Sequence, residues 1–401
     1  MKLVSIPKDK FEDYRLDAMF DCYKWDPQFL DDNTLSKYAL VITEEEYKEI
    51  KELTEKLDKE TIESEEFLNK NLHLTKPLAL PKKVHNELKK MNNYEAKKNV
   101  RLMRYDFHLD VNDKWVISEV NSDVPGGFAE ASLLPKLAIK LLGKKYYSIN
   151  FGDILADAIE RKIKKNGTIM FVHCTSYSDD RQVMQYIGDE MEKRGFKSLY
   201  GAADHIIFKD KKAFSILDNY EGEIDFIFRF TPLEWLKDIK PKTWDGYFDT
   251  ITQSCNHPIA IFAQTKRFPL IWNVLKENGI KLDTWEKLLP HTTLVSKIKD
   301  NDNYIYKPAC GRVGEKISIK EACDEEEYRL ILNDVKKHPN NYLAQEKFIS
   351  KPLIGPDKNK YHACLGSYTV DGKHAGFYAR ISKKPRIDSH AEDIPVIIER
   401  G

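Results

Sequence analysis

Residues Arg101–Ser132, RLMRYDFHLDVNDKWVISEVNSDVPGGFAEAS, restrict the fold more than any other stretch. Leu102–Leu109 alternates apolar and polar side chains, the period-two pattern of a strand, so Arg104, Asp106 and His108 share one face. A polar turn at Asn112-Asp113 follows, then a second strand-like run from Trp115 that ends in Ser118-Glu119-Val120-Asn121-Ser122-Asp123. Glu119, Asn121 and Asp123 again share a parity, and the chain then breaks at Pro125-Gly126-Gly127. Two neighbouring strands of this kind aim a guanidinium and several hard oxygen donors at one spot beside a Gly-rich turn. The remaining residues of both strands are those of buried sheet.

The chain around this stretch is ordinary for a globular protein. Its 401 residues are enough for two or three subdomains. Lys+Arg and Asp+Glu both number 64, and a net charge of zero excludes a dedicated nucleic-acid binder or a polybasic membrane protein. The N-terminus lacks an apolar core, so no secretory signal is expected. No run reaches the roughly 18 apolar residues that a membrane span needs. The six cysteines are scattered with no C-x-x-C pair, which fits a reduced, cytoplasmic protein without structural zinc or disulfides.

Residues 1–100 read as mostly helical. Thr43 and Glu46 form a capping box ahead of Tyr47, Ile50, Leu53, Leu57, Ile62 and Phe67 at helical spacing. Beyond the opening stretch, Ala129–Leu142 and a segment from Asp153 to about Lys165 read as helices. Strands at Thr168–His173, Phe196–Tyr200, His205–Phe208 and Ile224–Phe230, with a helix at Ser178–Arg194, predict an open, mostly parallel sheet. Residues 231–300 turn helical. Strands follow at Asn303–Lys307, Ile317–Ile319 and Tyr342–Phe348, and a hairpin pairs Tyr361–Val370 with His374–Ser382 around Asp371-Gly372.

Four further pieces bear on chemistry. Lys307-Pro308 followed by Gly311-Arg312-Val313-Gly314 could fold over phosphates, with glycines opening the backbone N–H groups and Lys307 and Arg312 neutralising charge; it reads equally as a plain hairpin with a surface lysine. Gln345-Glu346 could present a strand to an adenine edge, or be an edge strand and nothing more. Arg380 is an ion-pair arginine or an anion ligand. Lys266 stands at a helix start, where the dipole disfavours a cation and an anionic ligand would favour it. Together, hard acids suit Mg²⁺ and the cations suit phosphate. P-loop, kinase and G-x-S-x-G motifs are missing.

In this order the motifs resemble a known family. Arg104-x-Asp106 and Glu119-x-Asn121 come first, then Thr265-Lys266 leading to Pro269-Leu270-Ile271-Trp272. Lys307-Pro308 with Gly311-Arg312-Val313-Gly314 and Ile317-Ser318-Ile319 follows, then Gln345-Glu346-Lys347-Phe348. The order is similar to that of the synthetase domain of glutathionylspermidine synthases, and the likeness runs from about Tyr23 to Arg380. It includes Ile224–Leu236, IDFIFRFTPLEWL.

The resemblance implies an α/β fold, α+β in parts: ATP-grasp, circularly permuted, with a Rossmann-like pre-ATP-grasp subdomain. Residues 101–150 and 300–401 would form a discontinuous catalytic core and 151–260 the pre-ATP-grasp subdomain. Residues 261–300 would be a helical connection, and 1–100 the helical N-terminal region. The implied activity is ATP-dependent ligation of a carboxylate to an amine through an acyl phosphate. Asp106, Glu119 and Asn121 would hold two Mg²⁺ ions. Arg104 would stabilise the acyl phosphate and tetrahedral intermediate, and Arg380 would assist phosphoryl transfer. Lys266, Lys307, Gly311, Arg312 and Gly314 would hold the ATP phosphates, with Gln345 and Glu346 at adenine. Partners would be small molecules, a peptide or amino acid or a polyamine, with no nucleic acid or membrane; a homo-oligomer is compatible. The alternative is a catalytically silent ATP-grasp relative that binds nucleotide or acts as a scaffold. Two departures bear on substrate: no cysteine-amidase domain precedes the motifs, and residues 382–401 carry no family motif.

Overall fold

A computed structural model of the chain describes residues 1–91, 95, 98–239, 244–298, 303–311 and 314–401. Its centre is an antiparallel sheet ordered Glu392–Ile394, Lys373–Ser382, Lys360–Val370, Leu102–Leu109, Trp115–Asn121. The strand Leu102–Leu109 lies between two partners, so one of its faces must be buried. Met103, Tyr105 and Phe107 fill that face with no exposed surface, and Ile117 and Leu365 join them from the neighbouring strands. The alternation read from the sequence thus sends its apolar set into the core and its polar set to the other side.

The long helix Glu44–Lys70 covers the apolar face. Its start is the anticipated capping box: Thr43 Oγ1 accepts from the Glu46 N–H at 3.1 Å and the Glu46 carboxylate accepts from the Thr43 N–H at 2.9 Å. The interface between helix and sheet is threaded with hydroxyls, Thr54 to Ser367 at 2.8 Å and Thr61 to Tyr105 at 3.0 Å. Asp58 sits among them, wholly buried. One of its oxygens accepts from Thr369, and Oδ2 meets no donor among the described residues. Burial pushes its pKa up to about 7, against the opposing effects of the Thr369 hydrogen bond and the Arg101 charge.

A carboxyl whose pKa is raised on folding stabilises the fold below its unfolded pKa, and that stability is lost as pH rises through the folded value. Between pH 5 and 8 the loss at Asp58 is expected to be about 2 kcal/mol. Asp58→Asn should flatten the stability profile over this range by that amount, measured as urea midpoints at fixed pH. An unchanged slope would remove Asp58 as the titrating group.

Behind the far end of the hairpin lies a parallel sheet, Gln253–Cys255, Phe226–Arg229, Thr168–Val172 and Lys197–Gly201, in that order. It is flanked by the helices Phe151–Glu160 and Ser178–Lys193. The anticipated βαβ pattern is present. The strand expected at His205–Phe208 is Ile206–Lys209, but it leaves the parallel sheet and opens an antiparallel meander with Lys212–Leu217 and Tyr220–Glu223, which were missed. Its first turn places Asp210 and Lys211 at positive φ, 49° and 63°, without the glycine that would have marked it.

A smaller lobe comprises the antiparallel strands Thr292–Leu294, Tyr342–Glu346 and Tyr304–Pro308, with the helix Glu325–Lys337 packed on it through Tyr306, Ile331, Val335 and Tyr342. Ile317–Ile319 is not a strand; Ser318 alone reaches Tyr306, through its N–H and its hydroxyl. The N-terminal hundred residues hold the long helix and also the strands Lys2–Ser5 and Tyr38–Thr43. These strands form a sheet with Val396–Glu399 from the C-terminal end and Tyr146–Tyr147. No helix among the described residues is long and apolar enough to cross a membrane.

Candidate active site

The hairpin register decides the site. Arg104 is paired with Asn121 and Asp106 with Glu119, and the register shifts just beyond Asp106, so the four polar side chains meet on the face of the sheet opposite the core, where they line a cavity. The Arg104 guanidinium grips Asp106 with two bonds, Nε to Oδ1 at 2.7 Å and Nη2 to Oδ2 at 3.0 Å, and donates a third to the Gly126 carbonyl at 3.0 Å. Asn121 donates to the same Asp106 oxygen, Oδ2, at 3.0 Å. The guanidinium lies 5.0 Å from the Tyr378 ring centre. Its stem runs over Gly366, where a Cβ would come within 2.6 Å of Arg104 Cδ.

Two lysines converge on the other carboxylate. Lys266 Nζ lies 2.8 Å from Glu119 Oε2 and donates at 2.8 Å to the carbonyl of Gly311. Lys307, buried at the end of its strand, donates to the Ser118 carbonyl at 3.2 Å. Burial raises the Glu119 pKa, but Lys266, Lys307 and Arg104 outweigh it and bring it down to about 2. Burial and the nearby Lys266 charge pull Lys307 down to about 8, with Glu119 opposing them. Glu119 is therefore ionised across the physiological range. The lysines carry more positive charge than this one carboxylate balances, an arrangement suited to an anion.

Gln345 lines a narrow cleft of about 30 Å³ beside these lysines, walled by Pro269, Trp285, Leu289 and Leu343. Its Nε2 donates to Thr292 at 3.0 Å, while its buried Oε1 has no partner among the described residues. Glu346, next on the strand, has an exposed side chain, as alternation requires. Gly314 lies at φ 67°, where a Cβ would strike the Ile387 carbonyl at 2.3 Å. Arg312 lies outside the described residues.

The hairpin square, Lys307, Gly311, Gly314 and Arg380 all line one cavity of about 520 Å³. Arg380 is cross-strand to Cys364. It donates to the carbonyls of Asp388 at 2.7 Å and Ala391 at 3.1 Å and faces Asp393 at 3.7 Å. Sequence reasoning missed the rest of this end of the cavity. Lys24 bridges Asp393 at 2.7 Å and Glu130 at 3.3 Å, and Tyr378 donates to Asp393 at 2.6 Å. Asp393 belongs to the C-terminal segment for which no motif was visible, and Lys24 is a single cation in a polar stretch; neither carries a local signal. Asp123 shares the parity of Glu119 and Asn121 but lies beyond the strand end, and its side chain is buried against Arg229 instead.

The described residues hold no group of three or more His, Cys, Asp or Glu placed to bind a metal. The donors available are two carboxylates and an amide. These are hard oxygen ligands of the kind Mg²⁺ takes together with phosphate oxygens, and each carboxylate already faces a cation. The unpartnered Gln345 Oε1 is an acceptor available to an exocyclic amine such as that of adenine. The donor set is of the hard-oxygen and cationic kind that a magnesium nucleotide requires, with both carboxylates engaged by cations in this structure.

The fold is that of ATP-grasp-like synthetases. The chain belongs to the glutathionylspermidine synthase pre-ATP-grasp family, whose model matches residues 18–399. That match takes in most of residues 382–401, where no motif had been recognised. Among solved structures, a glutathione synthetase-like effector from Globodera pallida, in its apo form, is similar over 98% of this chain and 99% of its own, at TM-score 0.67 and 13% identity. A putative gamma-glutamylcysteine synthetase from Methylobacillus flagellatus aligns over 84% of this chain and 87% of its own, at TM-score 0.46 and 13% identity. No curated protein matches the chain.

Proposed function

We propose that the protein is an ATP-dependent carboxylate–amine ligase, with Asp106, Glu119 and Asn121 as Mg²⁺ ligands. The observation that carries this reading is the convergence of Arg104, Asp106, Glu119, Asn121 and Lys307 in one cavity, with Lys266 reaching Glu119 from the adjoining cleft. A carboxylate must approach a polyanion for the reaction to start, so the site has to supply fixed positive charge more than covalent chemistry. Lys266 and Lys307 would meet the phosphates. Arg104, held flat by Asp106 and the Gly126 carbonyl, would receive charge developing on the carboxyl oxygen. Bound Mg²⁺ would neutralise the phosphate oxygens facing Asp106 and Glu119. Gln345 would accept from the adenine amine once the cleft widens. Arg380, on the same sheet and cross-strand to Cys364, would face the transferring phosphoryl group. We read the domains as a discontinuous core around the hairpin with the parallel sheet as the pre-ATP-grasp unit, and the protein as cytoplasmic.

The test is ADP release across a matrix of carboxylates and amines, starting with glutathione and polyamines. Amine-dependent release of ADP and phosphate with a new amide is expected for at least one pair. Phosphorylated product without any amine dependence would make it a kinase. Nucleotide binding without ADP from any pair would favour a silent relative.

A further inference from the structure

The turn Pro385–Ala391 touches three parts of the molecule that no motif connects. Arg386 enters it from the main sheet and forks onto Glu327 of the small lobe, Nη1 to Oε1 at 2.7 Å and Nη2 to Oε2 at 3.3 Å. Its Nε donates to Asp388 at 3.1 Å. The Asp388 carbonyl in turn accepts from Arg380 Nη2 at 2.7 Å. The following residue but one, His390, meets a two-stranded hairpin at the cavity mouth, Gln28–Phe29 paired with Asp32–Asn33: its ring lies edge-on to Phe29 at 4.9 Å and its Nδ1 is 2.8 Å from Asp32. Phe29 lines the cavity.

We propose that Arg386 is a positioning residue that ties Arg380 and the mouth hairpin to the small lobe. This rests on the ligase reading, in which the small lobe carries nucleotide. Glu327 stands in the first turn of the helix Glu325–Lys337, which packs on the back of the strands bearing Lys307 and Gln345. A shift of that lobe moves Glu327. The planar fork of Arg386 resists shear because both of its bonds are directional. Gly314 adds a second contact between the same parts, since its α-carbon sits against the Ile387 carbonyl with no room for a side chain. Arg386 is nearly buried and Asp388 largely so, while Glu327 is 36% exposed, so the link to the small lobe rests on the two-bond geometry of the fork more than on burial. The consequence is that occupancy of the small lobe sets where the Asp388 carbonyl holds Arg380, and how firmly the hairpin 28–33 covers the mouth.

Hydrogen exchange with mass detection tests this on the full chain, with ADP and Mg²⁺ as the probe. In the wild type the probe should slow exchange in peptides covering 28–33 and 385–391. Arg386→Ala should bind the probe with unchanged affinity and lose that protection, and Glu327→Gln, which leaves the buried arginine in place, should lose it too. Retained protection in both variants would overturn the proposal, as would absent protection in a wild type that binds the probe. If the probe does not bind, the nucleotide reading itself fails. The unliganded exchange then decides: the hairpin should exchange faster in both variants than in the wild type, and equal rates would overturn the role of Arg386.

Discussion

Glu119→Gln is expected to lower ATP-dependent amide formation at least about a thousandfold and to leave the fold in place. Glutamine keeps the size and one acceptor oxygen of the side chain, removes the charge and turns the other oxygen into an amide donor. That charge has two uses. In the proposed reading it is a hard ligand that, with Asp106 and Asn121, would hold Mg²⁺ against phosphate oxygens. It is also the counter-charge that holds Lys266, 2.8 Å away, in position. Because the lysines hold the carboxyl down to about 2, it is ionised at every pH where the protein would be assayed, and no protonated fraction can mask the substitution. The Glu119 side chain is 27% exposed to the cavity, so its loss leaves Lys266 able to reach solvent and the melting temperature should barely move. The measurement is steady-state turnover beside a thermal scan, with Mg²⁺-dependent nucleotide affinity as the third reading. Wild-type turnover in Glu119→Gln would sink the metal assignment; lost turnover with a collapsed melt would leave Asp106→Asn to decide it.

How much of this was legible in the sequence depends on the range of each interaction. The hairpin was legible because period-two alternation over Leu102–Leu109 and Trp115–Asn121 fixes both the faces and, with a short polar turn, the pairing. The capping box at Thr43 and the hairpin at Asp371-Gly372 were legible for the same reason: each is specified within a few residues. Lys24 and Asp393 lie at opposite ends of the chain and meet through long-range pairings with no sequence signature, Asp393 opposite Arg380 and bridged to Leu35, and Tyr38–Thr43 parallel to Val396–Glu399. Adjacent residues Gln345 and Glu346 could not both face one cleft, and alternation places Glu346 in solvent. The Asp210-Lys211 turn escaped because its positive φ values fall on residues that do not announce them.

Asp123 shows how parity alone misleads, and it carries the second large effect: Asp123→Asn is expected to destabilise the fold by about 3–5 kcal/mol. Asp123 and Arg229 are both fully excluded from solvent and form an ion pair. The arginine also donates to the Thr231 carbonyl at 2.5 Å and to Tyr247 at 3.1 Å. The second carboxylate oxygen accepts from the Leu233 N–H at 2.9 Å. Asparagine would keep one acceptor, turn an amide toward donors and leave a guanidinium buried without its counter-charge. The expected magnitude is that of breaking a buried pair from one side. Removing both partners costs far less, so Asp123→Asn combined with Arg229→Met should recover much of the loss. At roughly 1 °C per kcal/mol for a chain of this size, the single variant should melt several degrees lower. A change within about 1 kcal/mol would mean the pair is dispensable. The position matters because the pair joins the end of the hairpin Leu102–Asn121 to the parallel sheet, alongside Asn256, whose amide donates to the carbonyls of Leu102, Ser122 and Asp123. Gly126, whose carbonyl anchors Arg104, follows three residues on. Asp123→Asn should therefore raise the KM of whichever substrate contacts the Gly126-Gly127 turn even at temperatures where the protein remains folded. An unchanged KM with a lowered melting point would confine the pair to stability.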